Sequence, residues 1–407
     1  MAQAQGTCDP RFAKVRTLFQ SFLDSGAELG ASLTVNLAGE TILDLYGGHA
    51  DAARTRAWER DTVVPLASST KTVSALAVLL LVDRGAIASV HDKVCKYWPE
   101  FAANGKEEVE IRHLLAHTSG VAGWEGPISV EEVCDRDSDA TARLAGQAPW
   151  WVPGTASAYH AWNYGHLLGE VVRRVAGGTR LKEFVAREIA APLGADFQIG
   201  LRAEDEGRMA EFVAPPPSSS GGGGGGLPPG FEPGPLFVKA IANPAMPPDF
   251  GRTRAWREGE VGASNGVGNA RGLNAILSNI TLAGFNNDDN EDQEEKKYLL
   301  SKPTVDLIFE EQSYGPDLAV GQTIRFGIGY ALRGDADGGR EKTWVDDRLP
   351  AGRIAYWGGS GGSLGIMDVD RGLTITYAMN LRSTSMLGNP ASTAYIRAIY
   401  EALGVEI

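Results

Sequence analysis

Cysteine is scarce in this chain, with only Cys8, Cys95 and Cys134 among 407 residues. An odd and widely spaced set provides neither a disulfide framework nor a metal-ligand spacing. It suits a reducing cytosol, where Cys95 and Cys134 are expected to serve as small core residues. Long apolar runs are missing too: the longest, around 75–82, falls far short of the roughly 20 residues a membrane span needs. No basic segment followed by an apolar stretch opens the chain, so no secretory leader is expected and the location is read as cytoplasmic. Positive charge is in deficit, 38 Lys and Arg against 51 Asp and Glu, for a net charge of −13. Such a chain repels phosphate backbones and anionic bilayers, and no basic cluster offsets this, so neither a nucleic-acid nor a membrane partner is expected. Histidine numbers six. His113 and His117 stand four apart, but Leu114 occupies the place of the glutamate in His-Glu-x-x-His, and hydrogen bonding to the adjoining loop is expected instead of zinc. No metal or organic cofactor is expected. The oligomeric state is not encoded in any feature of the sequence.

What is present is an ordinary globular composition, 43% hydrophobic and 22% charged, long enough to bury a sizeable core. Asp9-Pro10 reads as a capped helix start, followed by Phe12, Val15, Leu18, Phe19, Phe22 and Leu23 at helical spacing. Residues 31–37 and 41–46 read as two strands joined at Gly39-Glu40. A buried helix runs from Ser68 to Arg84 and is closed by Gly85. Residues 90–205 look mainly helical. Strands return at 324–332, 353–357, 364–369 and 373–380, and Asn389-Pro390 opens a last helix over 391–403. The order implies an α+β fold: one antiparallel sheet built from both chain ends (1–85 plus 235–407), flanked by helices, with a mainly helical domain, 86–214, inserted. Residues 215–234, rich in Pro, Ser and Gly, read as a flexible loop, and 286–297 as an acidic surface loop.

The sharpest chemical signal is Ser68-Ser69-Thr70-Lys71 at the start of the apolar helix. A serine and a lysine three apart share one helix face about one turn from each other. A lysine that has lost its proton can activate the hydroxyl, and the helix N-terminus offers backbone N–H groups where negative charge would develop. Ser-x-x-Lys alone is a weak pattern; its context sharpens it. Leu114-Leu115-Ala116-His117-Thr118-Ser119-Gly120 follows, then Tyr159-His160-Ala161-Trp162-Asn163-Tyr164, then Trp357-Gly358-Gly359-Ser360-Gly361-Gly362-Ser363. Lys96-Tyr97-Trp98-Pro99-Glu100-Phe101 is a further match.

On these motifs and their order the chain, from about residue 10 to 404, resembles the family VIII carboxylesterases, which share the fold of class C β-lactamases and penicillin-binding proteins. The two loops read as insertions relative to that family. The resemblance implies a β-lactamase/transpeptidase-like fold and a serine hydrolase working through an acyl-enzyme. Ser68 would be the nucleophile, with Lys71 and Tyr159 sharing the proton transfer. An adjacent ammonium is expected to favour the Tyr159 phenolate, and the sequence leaves open which of the pair is the base. Backbone N–H groups of Ser68 and Ser360, in the turn Trp357, Gly358, Gly359 and Ser360, would form the oxyanion hole.

Trp357 stands where β-lactamases carry a lysine, and Ala161 where they carry an asparagine. With the acidic net charge, these differences favour neutral, fairly apolar esters over penicillins. The partner implied is a small-molecule ester, with an alcohol acceptor as the alternative to water, as in the acyltransferases of the superfamily. A β-lactamase, a D-amino-acid peptidase and a non-catalytic scaffold are the lesser alternatives. His160, Trp162, Trp124 and Asn265 are pocket candidates, with Trp150 and Trp151 nearby; core packing for the tryptophans and a tight turn for Asn265 are the competing readings. Gly358-Gly359-Ser360-Gly361-Gly362 also fits Gly-x-Ser-x-Gly, but strands flank it and no histidine follows it, so the Ser360 hydroxyl is not read as a nucleophile.

Overall fold

The computed structural model describes residues 3–214, 232–247, 250–285, 298–335, 338–383, 385 and 387–407. The acidic loop, 286–297, and residues 215–231 of the Pro/Ser/Gly-rich loop lie outside the described residues.

Twelve strands are present among them: β1 (Gln5–Cys8), β2 (Gly30–Leu37), β3 (Glu40–Gly48), β4 (Val64–Pro65), β5 (Phe197–Ile199), β6 (Gly266–Gly268), β7 (Ser313–Pro316), β8 (Thr323–Phe326), β9 (Ala331–Leu332), β10 (Ile354–Gly358), β11 (Leu364–Asp368) and β12 (Leu373–Met379). Nine form one antiparallel sheet in the order β1-β3-β2-β12-β11-β10-β9-β8-β7, so both chain ends meet where β2 pairs with β12. The other three form a small sheet, β4-β6-β5. Five helices exceed eight residues: α1 (Ala13–Ser25), α2 (Thr70–Asp83), α3 (Tyr164–Val175), α4 (Ala270–Phe285) and α5 (Pro390–Ala402). The fold is α+β, an antiparallel sheet flanked by helices.

The central strands are covered on both faces. All seven residues of β12 are buried, which is why its sequence, Leu-Thr-Ile-Thr-Tyr-Ala-Met, shows no exposed polar alternation. Its threonines face α4: Thr374 Oγ1 donates to Thr281 Oγ1 at 2.7 Å, and Thr376 Oγ1 to the Ala270 carbonyl at 2.8 Å. The other face packs α1 and α5, where Phe19, Tyr377 and Tyr395 meet edge to face or tilted. Helix α2 is buried nearly all round and lies against α3, inside a second apolar cluster that holds most of the helical middle of the chain. Among the described residues no helix is long and apolar enough to cross a membrane.

Several boundaries differ from the sequence reading. The expected strand 324–332 is two short strands. A Cβ at Gly327 would lie 2.0 Å from the Ile308 carbonyl, and Gly329 takes φ +87°, so the chain turns between them. Helix α4 escaped notice because it is apolar on nearly every side and shows no helical stripe. The Asn279-Ile280-Thr281 sequon lies within that helix, with Thr281 buried. Cys134 is buried as expected; Cys95 is only half-buried.

One buried acid stands out. Glu28, just ahead of β2, is fully enclosed and accepts from the Tyr377 hydroxyl, which itself accepts from Asn389 Nδ2 at 2.9 Å. Burial dominates over these hydrogen bonds and lifts its pKa to about 7. The neutral acid is thus the form the fold favours. Its contribution to stability is complete below the unfolded value near 4.5 and is lost as pH rises through about 7. The difference amounts to on the order of 3 kcal/mol. Thermal unfolding of wild type and Glu28→Gln from pH 4.5 to 8 should show the wild type losing stability relative to the variant as pH rises; parallel curves would refute this assignment.

Candidate active site

The site begins with a strained turn. Ala67 adopts φ +44°, a conformation costing a non-glycine residue about 1–2 kcal/mol. It starts the single 3-10 turn, Ala67–Ser69, that carries Ser68 into α2. The turn is held from three sides. Leu66 N donates to the Gly266 carbonyl at 2.8 Å. Thr70 Oγ1 donates to the Ala67 carbonyl at 2.6 Å and accepts from Gly266 N at 2.8 Å. Ser363 Oγ donates to the Leu66 carbonyl at 2.7 Å and lies 2.9 Å from Ser69 Oγ.

That last contact joins the turn to the end of β10. A Cβ at Gly359 would stand 2.4 Å from the Leu66 carbonyl oxygen, 2.4 Å from Ser363 Oγ and 3.0 Å from the Ala67 Cβ. Only glycine permits this approach, and it brings Ser360, the next residue, beside the turn bearing Ser68. Ser68 lies in a first helical turn, where amides lack intrahelical acceptors. The Ser360 N–H makes no hydrogen bond among the described residues. Ser360 itself is exposed, at a turn between two strands with no histidine beside it.

Lys71 is 2% exposed. Its Nζ lies 3.2 Å from Ser68 Oγ, 2.9 Å from the Ala161 carbonyl oxygen and 2.8 Å from the Ala263 carbonyl oxygen. No carboxylate pairs with it among the described residues, and burial alone drives its pKa well below the ordinary lysine value. As placed, Nζ donates to all three; on losing a proton it can keep the two carbonyl bonds and turn its lone pair to the Ser68 hydroxyl. Such an amine can take the serine proton.

Tyr159 completes the set. Its ring lies 4.7 Å from Lys71 Nζ and its hydroxyl interacts with Ser68. Burial raises its pKa above that of a free phenol, outweighing the Ser68 and Trp357 contacts that favour ionisation. The direction is opposite to the one expected from a neighbouring ammonium, because the cost of burying the anion dominates, and it favours the protonated phenol. Trp357 is 6% exposed and packs in tilted geometry, its ring centroid 5.3 Å from Tyr159, 5.6 Å from Phe326 and 6.2 Å from Trp344. Its Nε1–H is buried and makes no hydrogen bond of normal geometry among the described residues.

The pocket candidates fare differently. Trp124 is fully buried, donates from Nε1 to the Ala140 carbonyl at 2.8 Å and packs edge-on against His166, so it is a core residue. His160 is likewise enclosed and does not wall the pocket. Its Nδ1 faces the Ala158 carbonyl at 2.7 Å and its Nε2 the Ser119 hydroxyl at 2.7 Å, tying two loops together, and burial lowers its pKa to about 3. Asn265 does not reach the cleft: Oδ1 accepts from Val261 N at 3.0 Å, and Nδ2 donates to the Trp256 and Gly259 carbonyls at 2.9 and 2.8 Å. It thereby fixes the turn whose Ala263 carbonyl holds Lys71. Trp162 alone of the four keeps an exposed edge, with its indole N–H on the Ile241 carbonyl at 2.9 Å.

His113 Nδ1 accepts from Glu110 N at 3.1 Å and His117 Nδ1 from His160 N at 3.1 Å. Among the described residues no group of three His, Cys, Asp or Glu side chains is placed to hold a metal. His117, at φ +61°, packs at 5.2 Å against Tyr159 and 4.7 Å against Tyr164. Sequence reasoning missed this packing role, and it missed Ser363, which the Gly-rich turn itself contained.

A Ser-Lys-Tyr cluster at the head of a buried helix, beside a glycine-lined strand end, defines a class. The chain belongs to the Beta-lactamase family, whose model matches residues 15–398. The crystal structure of a family VIII carboxylesterase superposes with a TM-score of 0.84 at 33% identity, covering 98% of this chain and 100% of that one. A penicillin-binding protein homologue from Caulobacter crescentus also gives a TM-score of 0.84, at 30% identity, with 98% and 100% covered. The esterase/beta-lactamase LipL of Mycobacterium tuberculosis is 34% identical over 212 residues, 52% of this chain and 48% of LipL. The match thus spans about half the length of that curated relative.

Gly359→Ala tests the close approach at the turn. It is expected to lower kcat/KM on an ester by about 100-fold or more, the scale of a displaced oxyanion donor, while the circular dichroism spectrum stays native. Activity within about threefold of wild type would contradict the role given to this contact.

Proposed function

We propose that the protein is a serine esterase acting on neutral, fairly apolar carboxylic esters through an acyl-enzyme on Ser68. The observation that carries the reading is the placement of Lys71: a buried amine without a carboxylate partner among the described residues, held by two backbone carbonyls and 3.2 Å from the Ser68 hydroxyl, where burial lowers its pKa.

Ser68 Oγ bonds to the ester carbonyl carbon as its proton passes to Lys71. The carbonyl electron pair moves onto oxygen, where the N–H groups of Ser68 and Ser360 receive it. When the tetrahedral intermediate collapses, the bond to the alcohol oxygen breaks, the departing alkoxide takes the Tyr159 proton, and Tyr159 recovers one from the Lys71 ammonium beside it. Water then attacks the acyl-enzyme by the same steps in reverse.

The surroundings of the catalytic phenol support the substrate class. Trp357 packs among Tyr159, Phe326 and the partly exposed Trp344, and it offers one uncharged donor instead of a cation. Such surroundings favour hydrocarbon over a substrate carboxylate. Ester hydrolysis is also consistent with the similarity to the esterase/beta-lactamase LipL and to the family VIII carboxylesterase.

Intact-protein mass spectrometry with p-nitrophenyl butyrate tests this directly. Wild type is expected to gain one butyryl group and to turn over in water, while Ser68→Ala gains none. An adduct cleared only by an added alcohol would replace hydrolysis with acyl transfer. An adduct that also forms on Ser68→Ala would overturn the assignment of the nucleophile.

A further inference from the structure

Tyr159 is held by a group that no motif includes. Asp317 sits at the head of the turn between β7 and β8 and is 1% exposed. Its Oδ1 accepts three backbone N–H groups: Tyr159 at 3.0 Å, Ala319 at 2.9 Å and Val320 at 3.1 Å. Its Oδ2 is buried with no hydrogen bond of normal geometry among the described residues. The backbone reinforces the contact, since Leu318 N donates to the Ser157 carbonyl at 2.8 Å and the turn is closed by Asp317 N to the Gln322 carbonyl at 2.9 Å. The turn therefore grips residues 157–159 at two points, one of them at the Tyr159 amide. From the opposite side the same segment is fixed by Ala158 N on the His117 carbonyl at 3.0 Å.

A buried carboxylate is an expensive way to hold a loop, because a buried anion must recover its lost hydration from hydrogen bonds. Three N–H groups on one oxygen, with the Ser157 hydroxyl, recover part of it, although burial still holds the Asp317 pKa above the ordinary carboxylate value. Bonds to a carboxylate resist displacement better than neutral ones. The Tyr159 hydroxyl, by contrast, interacts with the uncharged Ser68 and Trp357 side chains and needs freedom to pass a proton. Its position is consequently set at the main chain.

We propose that Asp317 is a positioning residue for Tyr159: by anchoring the Tyr159 backbone it sets the phenol where it can hand its proton to the departing alkoxide. The inference rests on Tyr159 being that proton donor. When the C–O bond of the intermediate breaks, its electron pair leaves on the alcohol oxygen, which bonds the phenol proton. An ethoxide requires that proton in order to leave, whereas a p-nitrophenolate leaves without it. A misplaced phenol therefore damages alkyl esters selectively, while a general loosening of the fold damages both kinds equally.

The experiment measures kcat/KM for ethyl butyrate and p-nitrophenyl butyrate, which share one acyl group, in wild type, Asp317→Asn, Asp317→Ala, Tyr159→Phe and the double variant Tyr159→Phe/Asp317→Asn. Asp346→Asn serves as a control, since Asp346 is a similarly buried carboxylate that accepts from Gly334 N and from the Thr343 N–H and hydroxyl. Tyr159→Phe is expected to lose about 100-fold or more on the ethyl ester, on the scale of general acid catalysis, and far less on the nitrophenyl ester. Asp317→Ala should lose about tenfold or more on the ethyl ester and less than about threefold on the nitrophenyl ester. Asp317→Asn, which keeps an acceptor but loses the charge that strengthens the three bonds, should show the same selectivity with an intermediate loss of about fivefold on the ethyl ester. In the Tyr159→Phe background Asp317→Asn should add nothing, because two residues acting through one step are not additive. Asp346→Asn should leave the ratio of the two esters unchanged.

Equal losses on both esters in the Asp317 variants, or an undiminished Asp317→Asn effect without the phenol, would overturn the inference while leaving the Tyr159 reading intact. A Tyr159→Phe enzyme with no preference between the esters would overturn the Tyr159 reading itself. If Asp317→Ala does not fold, the Asp317→Asn single and double variants decide the matter by the same ratio.

Discussion

The site depends on an amine buried without a counter-ion. A lysine enclosed by protein normally requires a carboxylate, and a pair of that kind would keep it charged and useless as a base. Here the neighbours of Lys71 are two backbone carbonyls and a serine hydroxyl. Carbonyls satisfy N–H groups without adding charge, so burial pulls the amine toward its neutral form, in which a lone pair is available to Ser68. Burial acts on the phenol as well. The cost of burying the anion favours the protonated form of Tyr159, which is suited to giving a proton rather than taking one.

Much of the surrounding architecture can be read as what places those carbonyls. Ala161 lies just before α3, whose first turns meet the 261–265 turn where a Cβ at Gly165 would come within 2.5 Å of Gly262. Asn265 closes that turn with three hydrogen bonds, and Ser74 Oγ donates to the Gly262 carbonyl at 2.5 Å. On the other flank Gly359 and Ser363 draw the end of β10 against Leu66 and Ala67. The strained Ala67 is tolerated because so many contacts determine its conformation. Rigid elements thus meet at one point from both ends of the chain and from its helical middle.

The sequence made this arrangement legible to an uneven degree. Ser68, Lys71, Tyr159 and the Trp357–Ser360 turn carry side chains or glycines whose chemistry is visible as letters, and the structure brings them together. The two carbonyls on Lys71 have no letter, since any residue supplies them. Asn265 was noticed as a polar residue in a turn, but only the fold shows that its amide faces the backbone and not the cleft. Trp124 and His160 were attractive for their size and for their place beside motif residues; burial decides against both. Asp317 was invisible, because its partner amide lies 158 positions away. In the fold, the strand edges and the capped helices were readable from period and turn residues, whereas α4, apolar on almost every side, offered no stripe to read.

The charge state of Lys71 at the pH where the protein works is the quantity on which the site turns. It is measured by nuclear magnetic resonance on protein carrying 13C- and 15N-labelled lysine, with the Lys71 signal assigned by its loss in Lys71→Met and followed from pH 5 to 10. The amine shift characteristic of a neutral side chain at pH 7–8, well below the titration of the surface lysines, is the expected result. A Lys71 signal that stays in the ammonium range until the surface lysines titrate would contradict the account.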